Sequence, residues 1–335
     1  MSLYLKKISN FTLTAYALLG EELDDFDWIP YEQNNPEQTK SSSNRNFHKS
    51  ALKYKVMLIR KLETPRDYEA CENTMREIWQ FTERDVIPSH LLKPINDQGG
   101  LVLGAFEHDK MVGILVGFLA YYKGILHHHS HVTGVLNKYK GVGYKLKQKQ
   151  REFALSQGLN LVTWTFDPLQ SSNAYFNFAK LGVISNTYYR NYYGKMRDEL
   201  NKGLASDRFL VEWWIRTKNV NQRVNGIFEQ PTLDEALTHA EVANKTRKTG
   251  NMRKNVSYDL HLESEKILVE IPSDITTMKE KNMPLAQEWQ DVTRTLFEHY
   301  FCTGYTACNV LSEIKEAERR TYYLLGRDIH ENSED

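Results

Sequence analysis

Cysteine is scarce in this chain, with only Cys71, Cys302 and Cys308 in 335 residues. The odd number and the spacing exclude a disulfide framework and the paired-cysteine metal patterns. A reduced, cytoplasmic compartment is the simple expectation. Long apolar runs are missing as well. No stretch approaches the ~20 residues of a membrane span, and Met1 to Leu23 lacks the apolar core ending in small residues that marks a secretory leader. No membrane partner is expected. Net charge is absent too, with 43 Lys and Arg against 43 Asp and Glu. Domains that bind nucleic acid usually carry a basic excess, so no nucleic-acid partner is expected either. What is present is a globular profile, 41% hydrophobic and 26% charged, in a chain long enough for one large domain or two ordinary ones.

Residues 1–50 read as a peripheral, partly disordered arm. Phe11 to Leu23 is a mixed stretch, Asp24 to Asp27 an acidic turn, and Glu32 to Lys49 a polar linker containing Ser41-Ser42-Ser43-Asn44. Regular alternation follows. Val56 to Leu62 has strand composition, and Pro65 to Thr82 carries a helical stripe of Tyr68, Met75, Ile78 and Trp79. Ile87 to Leu92 makes a short second helix. Leu101 to Phe106 and Met111 to Leu119 read as strands joined by a turn at Glu107–Lys110. Ile125 to Val135 is a strand, and Gly141 to Gln157 a helix closed by Gly158. Leu161 to Phe166 is a buried-type strand, and Ser172 to Leu181 a helix ending at Gly182. Val183 to Tyr193 and Phe209 to Ile215 are strands. The order β-α-α-β-β-β-α-β-α-β-β specifies a mixed α/β sheet.

A second region spans 218–335. Thr232 and Glu235 form a capping box after Pro231. Lys245 to Asn255 is basic and polar and reads as a loop. Ile267 to Ile271 is a strand, and a long helix starts near Pro284 with Leu285, Trp289, Val292, Leu296 and Tyr300 on one face. Gly304 ends it. Tyr305 to Ser312 and Arg319 to Leu325 read as a hairpin. The apolar stripe of the long helix needs cover, so this region is expected to pack on the first.

The most informative segment is Lys138-Tyr139-Lys140-Gly141-Val142-Gly143-Tyr144, which lies between a strand and a helix. Glycines there let backbone N–H groups approach an anion at the helix N-terminus, a pyrophosphate above all. The alternative is an ordinary strand-to-helix turn.

This element order and loop resemble the GNAT acyltransferase superfamily over about residues 54–217. The superfamily signature Arg/Gln-x-x-Gly-x-Gly/Ala stands here as Lys138-x-x-Gly141-x-Gly143. Lysine keeps the charge but loses the bidentate geometry of arginine. Asn173-Ala174 and Lys180-Leu181-Gly182 resemble the superfamily's fourth-helix motif, with the alanine one place early. The chain looks similar to an uncharacterised subgroup through Gly104-Ala105-Phe106, Ser130-His131, Gln150-Arg151, Trp164 to Leu169, Asp207-Arg208 and Ile271 to Ile275. The resemblance implies a GNAT-type mixed sheet at 51–217, an additional α/β region at 218–335 and, as co-substrate, acetyl-CoA. It implies transfer to the amine of a small molecule or peptide. It places pantetheine along Val132, Thr133, Gly134 and Val135. It places the pyrophosphate on Gly141, Val142, Gly143 and Tyr144, with Lys138 and Lys140 nearby. Asn173 would touch the cofactor arm; its alternative is a helix N-cap.

Many relatives protonate the departing thiolate with a Tyr four residues before the helix-four glycine. That position is Phe178 here, and Tyr175 is the nearest substitute. Asp167, after the strand Leu161 to Phe166, is either a base for the amine or the residue that fixes the turn before Pro168. His131 is either a base with a near-neutral pKa or a hydrogen-bonded core histidine. His127, His129 and His131 share a strand face, but no partner motif completes a metal site and none is expected. Lys145, Lys147, Lys149 and Arg151 read chiefly as a solvated helix face. Tyr188, Tyr189, Tyr192, Tyr193, Trp213 and Trp214 line an acceptor pocket or fill the sheet core; Trp213 and Trp214 point to opposite faces. A CoA-binding sensor on the same scaffold is the rival to an enzyme.

Overall fold

Apolar runs with a period of two become strands of one large sheet, and runs with helical spacing pack across it. The computed structural model describes residues 27–31, 55–81, 83–194, 203–315 and 318–329. In chain order the first elements are β1 (Asp27–Tyr31), β2 (Lys55–Lys61), α1 (Pro65–Trp79), α2 (Ser89–Asp97), β3 (Leu101–Glu107), β4 (Lys110–Tyr122), β5 (Ile125–Val135), α3 (Val142–Ser156) and β6 (Leu161–Phe166). A short helix, α4 (Ser171–Ala174), continues as a π-helix over Tyr175–Leu181. Then come β7 (Ile184–Tyr189), β8 (Arg208–Trp214), α5 (Lys218–Val224), α6 (Leu233–His239), β9 (Glu241–Val242), β10 (Asn244–Thr249), β11 (Met252–Tyr258) and β12 (Lys266–Ile271). The chain closes with α7 (Ile275–Lys281), α8 (Met283–Cys302), β13 (Thr306–Lys315) and β14 (Glu318–Gly326).

Among the described residues, twelve strands form one sheet in the order β1-β2-β3-β4-β5-β6-β8-β7-β13-β14-β12-β9, and β10 pairs only with β11. From β2 to β8 the elements follow one another along the chain as expected. The expected arm at 1–50 lies outside the described residues except for Asp27–Tyr31, which pairs antiparallel with β2 at the sheet edge. Sequence reasoning passed over this strand and put an acidic turn up to Asp27. Lys245 to Asn255 is a hairpin of β10 and β11 rather than a loop. The ribbon pairs with no strand of the main sheet, and its polar, exposed and half-buried residues leave no apolar alternation to read. The helix expected over Ser172–Leu181 is mostly π. That wider turn buries Asn177, Phe178, Ala179 and Leu181 together.

Local signals set the helix ends. Thr64 and Asp67 form a reciprocal capping box at α1, with Pro65 at its first position. The helix stops at Gln80, which takes the left-handed conformation, short of the expected Thr82. Thr232 and Glu235 cap α6 in the same way.

The two halves of the sheet meet where Ala307 of β13 pairs with Ser185 of β7. One aromatic core runs through the junction. Phe209 lies 4.7 Å from Phe297 and 5.4 Å from Tyr323, and Phe178 lies 5.4 Å from Tyr323, between ring centroids. Buried Asp207 accepts from Tyr188 Oη at 2.6 Å and from Arg294 Nε of α8 at 2.8 Å. The expected stripe of α8 is real: Trp289, Leu296 and Tyr300 are fully buried. Among the described residues no helix is long and apolar enough to cross a membrane.

Candidate functional site

The site begins with a break in pairing. β5 is hydrogen-bonded to β4 along its whole length but to β6 only at His128↔Val162 and His129↔Thr163. From Ser130 to Val135 the other edge of β5 carries no strand among the described residues. A bulge coincides with the parting: Val116 faces Val132 and Gly117 faces Ser130, leaving His131 as the extra residue. A bulge bends the strand and sharpens its twist, which opens the sheet there. Only glycine fits at 117, where a Cβ would lie 2.3 Å from His128 Nε2 and 2.9 Å from the His129 carbonyl oxygen.

The free edge runs into the glycine turn. Gly141 has φ of 84°, a left-handed conformation that favours glycine, and it is the N-cap of α3. The first intrahelical bond in this turn is Lys145 N–H to the Gly141 carbonyl at 3.3 Å. The amides of Val142, Gly143 and Tyr144 precede it and lie at the positive end of the helix. Tyr139 anchors the turn from below: its ring is buried and its hydroxyl donates to Glu107 Oε2 at 2.6 Å. Lys138 and Lys140 are exposed beside it. The Tyr144 hydroxyl turns away to donate to the Val224 carbonyl at 3.1 Å, so only its backbone is presented to the turn. Thr133 Oγ1 is buried with no hydrogen-bond partner, and Val132, Thr133, Gly134 and Val135 are all half-buried. Gly134 lies under Trp79, whose ring would stand 2.4 Å from a Cβ there.

The expected catalytic residues are not brought together: among the described residues His131, Asp167 and Tyr175 make no hydrogen bond with one another. His131 is exposed on the bulge, 6.0 Å from the Phe118 ring, and desolvation by neighbouring protein lowers its pKa. Asp167 Oδ1 accepts from Leu169 N–H at 2.9 Å, which fixes the turn at Pro168. Burial raises its pKa, and the positive charges of Arg208 and Lys279 oppose that rise. Tyr175 is half-buried, with Lys180 Nζ 5.7 Å above its ring. Asn173 is exposed in the short helix, whose N-cap is Gln170, so the capping reading of Asn173 is corrected. Phe178 is fully buried among Phe166 and Tyr323.

Two features escaped sequence reasoning. The first lies on the sheet face turned away from α3. His129 Nδ1 is 2.9 Å from Thr163 Oγ1, and Thr163 stands opposite Glu212 on β8. Glu212 Oε2 accepts from Trp214 Nε1 at 3.1 Å, and Thr165 Oγ1 meets Tyr193 Oη at 3.0 Å. Desolvation, helped by the neighbouring histidines, pulls the His129 pKa down to about 4, so its ring is neutral. This track of polar and aromatic groups floors a half-open face. Trp214 belongs to it, while Trp213 is buried on the other side and donates to the Leu181 carbonyl at 2.7 Å. The second feature is Lys147, which is buried rather than solvated: its Nζ donates to Ser130 Oγ at 2.8 Å and Gln150 Oε1 at 3.1 Å. Burial lowers its pKa to about 7. The spacing Leu146, Lys147, Gln150, Ala154 was the available signal, since it is the buried stripe of α3. Among the described residues no group of three or more His, Cys, Asp or Glu is arranged to hold a metal ion.

No family model matches the chain. No curated protein matches it. Among solved structures, an aminoglycoside 6'-acetyltransferase of type Ii is 15% identical, with 48% of this chain and 98% of that one covered at a TM-score of 0.39. An acetyltransferase of the GNAT family from Streptococcus pneumoniae is 19% identical, with 47% of this chain and 97% of that one covered at a TM-score of 0.38. These are likenesses of fold over about half of this chain.

Proposed function

We propose that the chain is a cytoplasmic acyl-CoA-dependent N-acyltransferase that moves an acetyl group from acetyl-CoA to the amine of a small molecule or peptide by direct attack. The observation that carries this reading is the parting of β5 from β6 beside a bulge, with the free edge Ser130–Val135 leading directly into the Gly141 turn and the first turn of α3. An ordinary turn needs no unpaired strand edge above it. Here the edge offers backbone groups to the amides of a pantetheine arm, as an added strand would. The orphaned Thr133 hydroxyl lies along the same edge. The Val142, Gly143 and Tyr144 amides suit a pyrophosphate, with Lys138 and Lys140 adding charge. Asn173, exposed in α4, would touch the cofactor arm.

The amine would approach from the open face, over Phe118, His129 and Thr163. His131 projects from the bulge and is kept neutral near pH 7 by its lowered pKa, so it serves as the base. Asp167 is the alternative base, and Tyr175, three positions before Phe178, is the alternative acid. A CoA-binding sensor is the second reading, favoured by one observation: Phe178 is locked in the core where relatives carry an acid.

Acetyl-CoA should raise the melting temperature by mass action, and Gly143→Asp should abolish the rise. A Cβ at 143 would meet only Val135, at 3.8 Å, so the variant should fold. Release of CoA thiol with a panel of amines then separates enzyme from sensor. An unchanged melting curve at millimolar acetyl-CoA defeats the proposal.

A further inference from the structure

Acyl transfer needs a proton for sulfur as well as a base for nitrogen, and the core position of Phe178 leaves that proton without an obvious source. Ser130 is the first residue of β5 beyond the last β5–β6 pair, at the point where the strands part. Its hydroxyl oxygen accepts from Lys147 Nζ at 2.8 Å, which leaves the hydroxyl hydrogen free to be donated. Lys147 bridges the opening: its Nζ also sits 3.8 Å above the ring of Trp164 on β6. The glycine turn lies at the N-terminus of α3, and Lys147 belongs to the second turn of the same helix. An acyl donor held along the free edge of β5 would pass the parting of β5 and β6, where Ser130 and Lys147 sit.

We propose that Ser130 donates the proton to the departing thiolate and that Lys147 is the positioning residue that holds and recharges the Ser130 hydroxyl. The inference rests on the acyltransferase reading above. The step balances. The amine nitrogen bonds to the thioester carbonyl carbon and gives one proton to His131, the base proposed above, which passes it to solvent. The carbon–sulfur bond breaks with its electron pair on sulfur. Sulfur takes the Ser130 hydroxyl proton, Ser130 takes one from Lys147, and solvent restores Lys147. Among the described residues no carboxylate faces Lys147. The titratable groups beside it are His128 and His129 on β5, pushed down to about 3 and about 4 by burial and so neutral near pH 7. Trp164 on β6 and Gln150 on its own helix complete its surroundings. Burial also lowers the Lys147 pKa to about 7, which suits a group that exchanges protons at neutral pH.

The test measures acetyl-CoA affinity by calorimetry and kcat by CoA-thiol release for the full chain and for Ser130→Ala, Ser130→Thr and Lys147→Met. Ser130→Ala and Lys147→Met should keep affinity within about threefold and lower kcat by about 10²-fold, the low end for acid catalysis because a thiolate leaves readily. Ser130→Thr, which restores a hydroxyl, should recover most of the rate. The wild-type kcat should fall as pH rises through about 7, and Lys147→Met should lack that fall. Rates within about twofold of wild type in both Ser130→Ala and Lys147→Met, with binding intact, overturn this proposal and leave the acyltransferase reading standing. Wild-type protein that binds no acetyl-CoA, or binds it without releasing thiol to any amine, overturns both.

Discussion

Replacing Lys147 by methionine should change how stability depends on pH, with a magnitude that follows from burial. Lysine ordinarily titrates at 10.5, and burial brings Lys147 down to about 7 in the folded chain. The folded pKa is thus depressed below the unfolded one, the reverse of a lysine that gains an acidic partner. Between the two values the unfolded chain binds the extra proton, so unfolding free energy rises with pH by up to about 1.4 kcal/mol per unit. From about pH 6 to about pH 8.5 the contribution sums to roughly 2 kcal/mol. Methionine fills a similar volume and does not titrate. The difference in unfolding free energy, wild type minus Lys147→Met, should therefore climb by about 2 kcal/mol over that range. His128 and His129 stay neutral in the folded chain over this range, and the protons their unfolded forms bind below about pH 6.5 add the same slope to both proteins, so they drop out of the difference. At the acid end the variant should be the relatively stronger protein, since removing an unpaired buried charge is neutral or stabilising. Urea titrations of both proteins at four pH values measure the difference, in which the remaining groups cancel. A difference flat to within about 0.5 kcal/mol would show that Lys147 titrates normally and is solvated, which would refute the burial argument and the proton path built on it.

The frame of the first region was legible because its signals are local. Ile125–Val135 and Leu161–Phe166 form strands with the expected bounds, set by apolar runs between Gly or polar turns. The capping boxes at Thr64 and Thr232 also belong to the local code. Features that depend on partners distant in sequence were not legible. The bulge at His131 exists only in the register between β4 and β5, which no spacing within either strand reports. Asp27–Tyr31 contains Pro30, which normally argues against a strand; an edge position with one neighbour makes it admissible. Lys147 sits in a run of charged residues that reads as a wet helix face. Its burial comes from Ser130 and Trp164, on strands that precede and follow α3.

The same contrast explains why the glycine turn was found and the open face was missed. Gly141 and Gly143 announce a backbone requirement in residue type alone. His129, Thr163 and Glu212 are 34 and 49 positions apart in sequence and become neighbours only when β5, β6 and β8 align side by side. The second region then fixes the turn after β6. Ser171 Oγ at the start of α4 donates to the Ser273 carbonyl at 2.5 Å, and Tyr323 Oη donates to the Pro168 carbonyl at 2.8 Å. The turn that carries Asp167 is therefore held from residues more than a hundred positions downstream.

His131→Gln should lower turnover by about 10²-fold or more with acetyl-CoA binding kept, whereas Asp167→Asn should act mainly on melting temperature, because Asp167 holds the Leu169 amide. The reverse ranking in kcat would assign the base to Asp167. A chain truncated to residues 51–217 should not reach a native fold. Phe178 and Phe209 are fully buried, and their cover includes Tyr323 and Phe297 from the second region. Deleting that region exposes several rings and aliphatic side chains at about 1.5–3 kcal/mol each. The loss reaches the whole stability of a typical domain, about 5–15 kcal/mol. The β7 edge would also lose its β13 partner and become a site for edge-to-edge association. Circular dichroism with dye binding should show a fragment without a cooperative thermal transition and with exposed apolar surface. A fragment that melts cooperatively near the full chain's temperature would show that the aromatic core at the junction is dispensable and that the two regions fold independently.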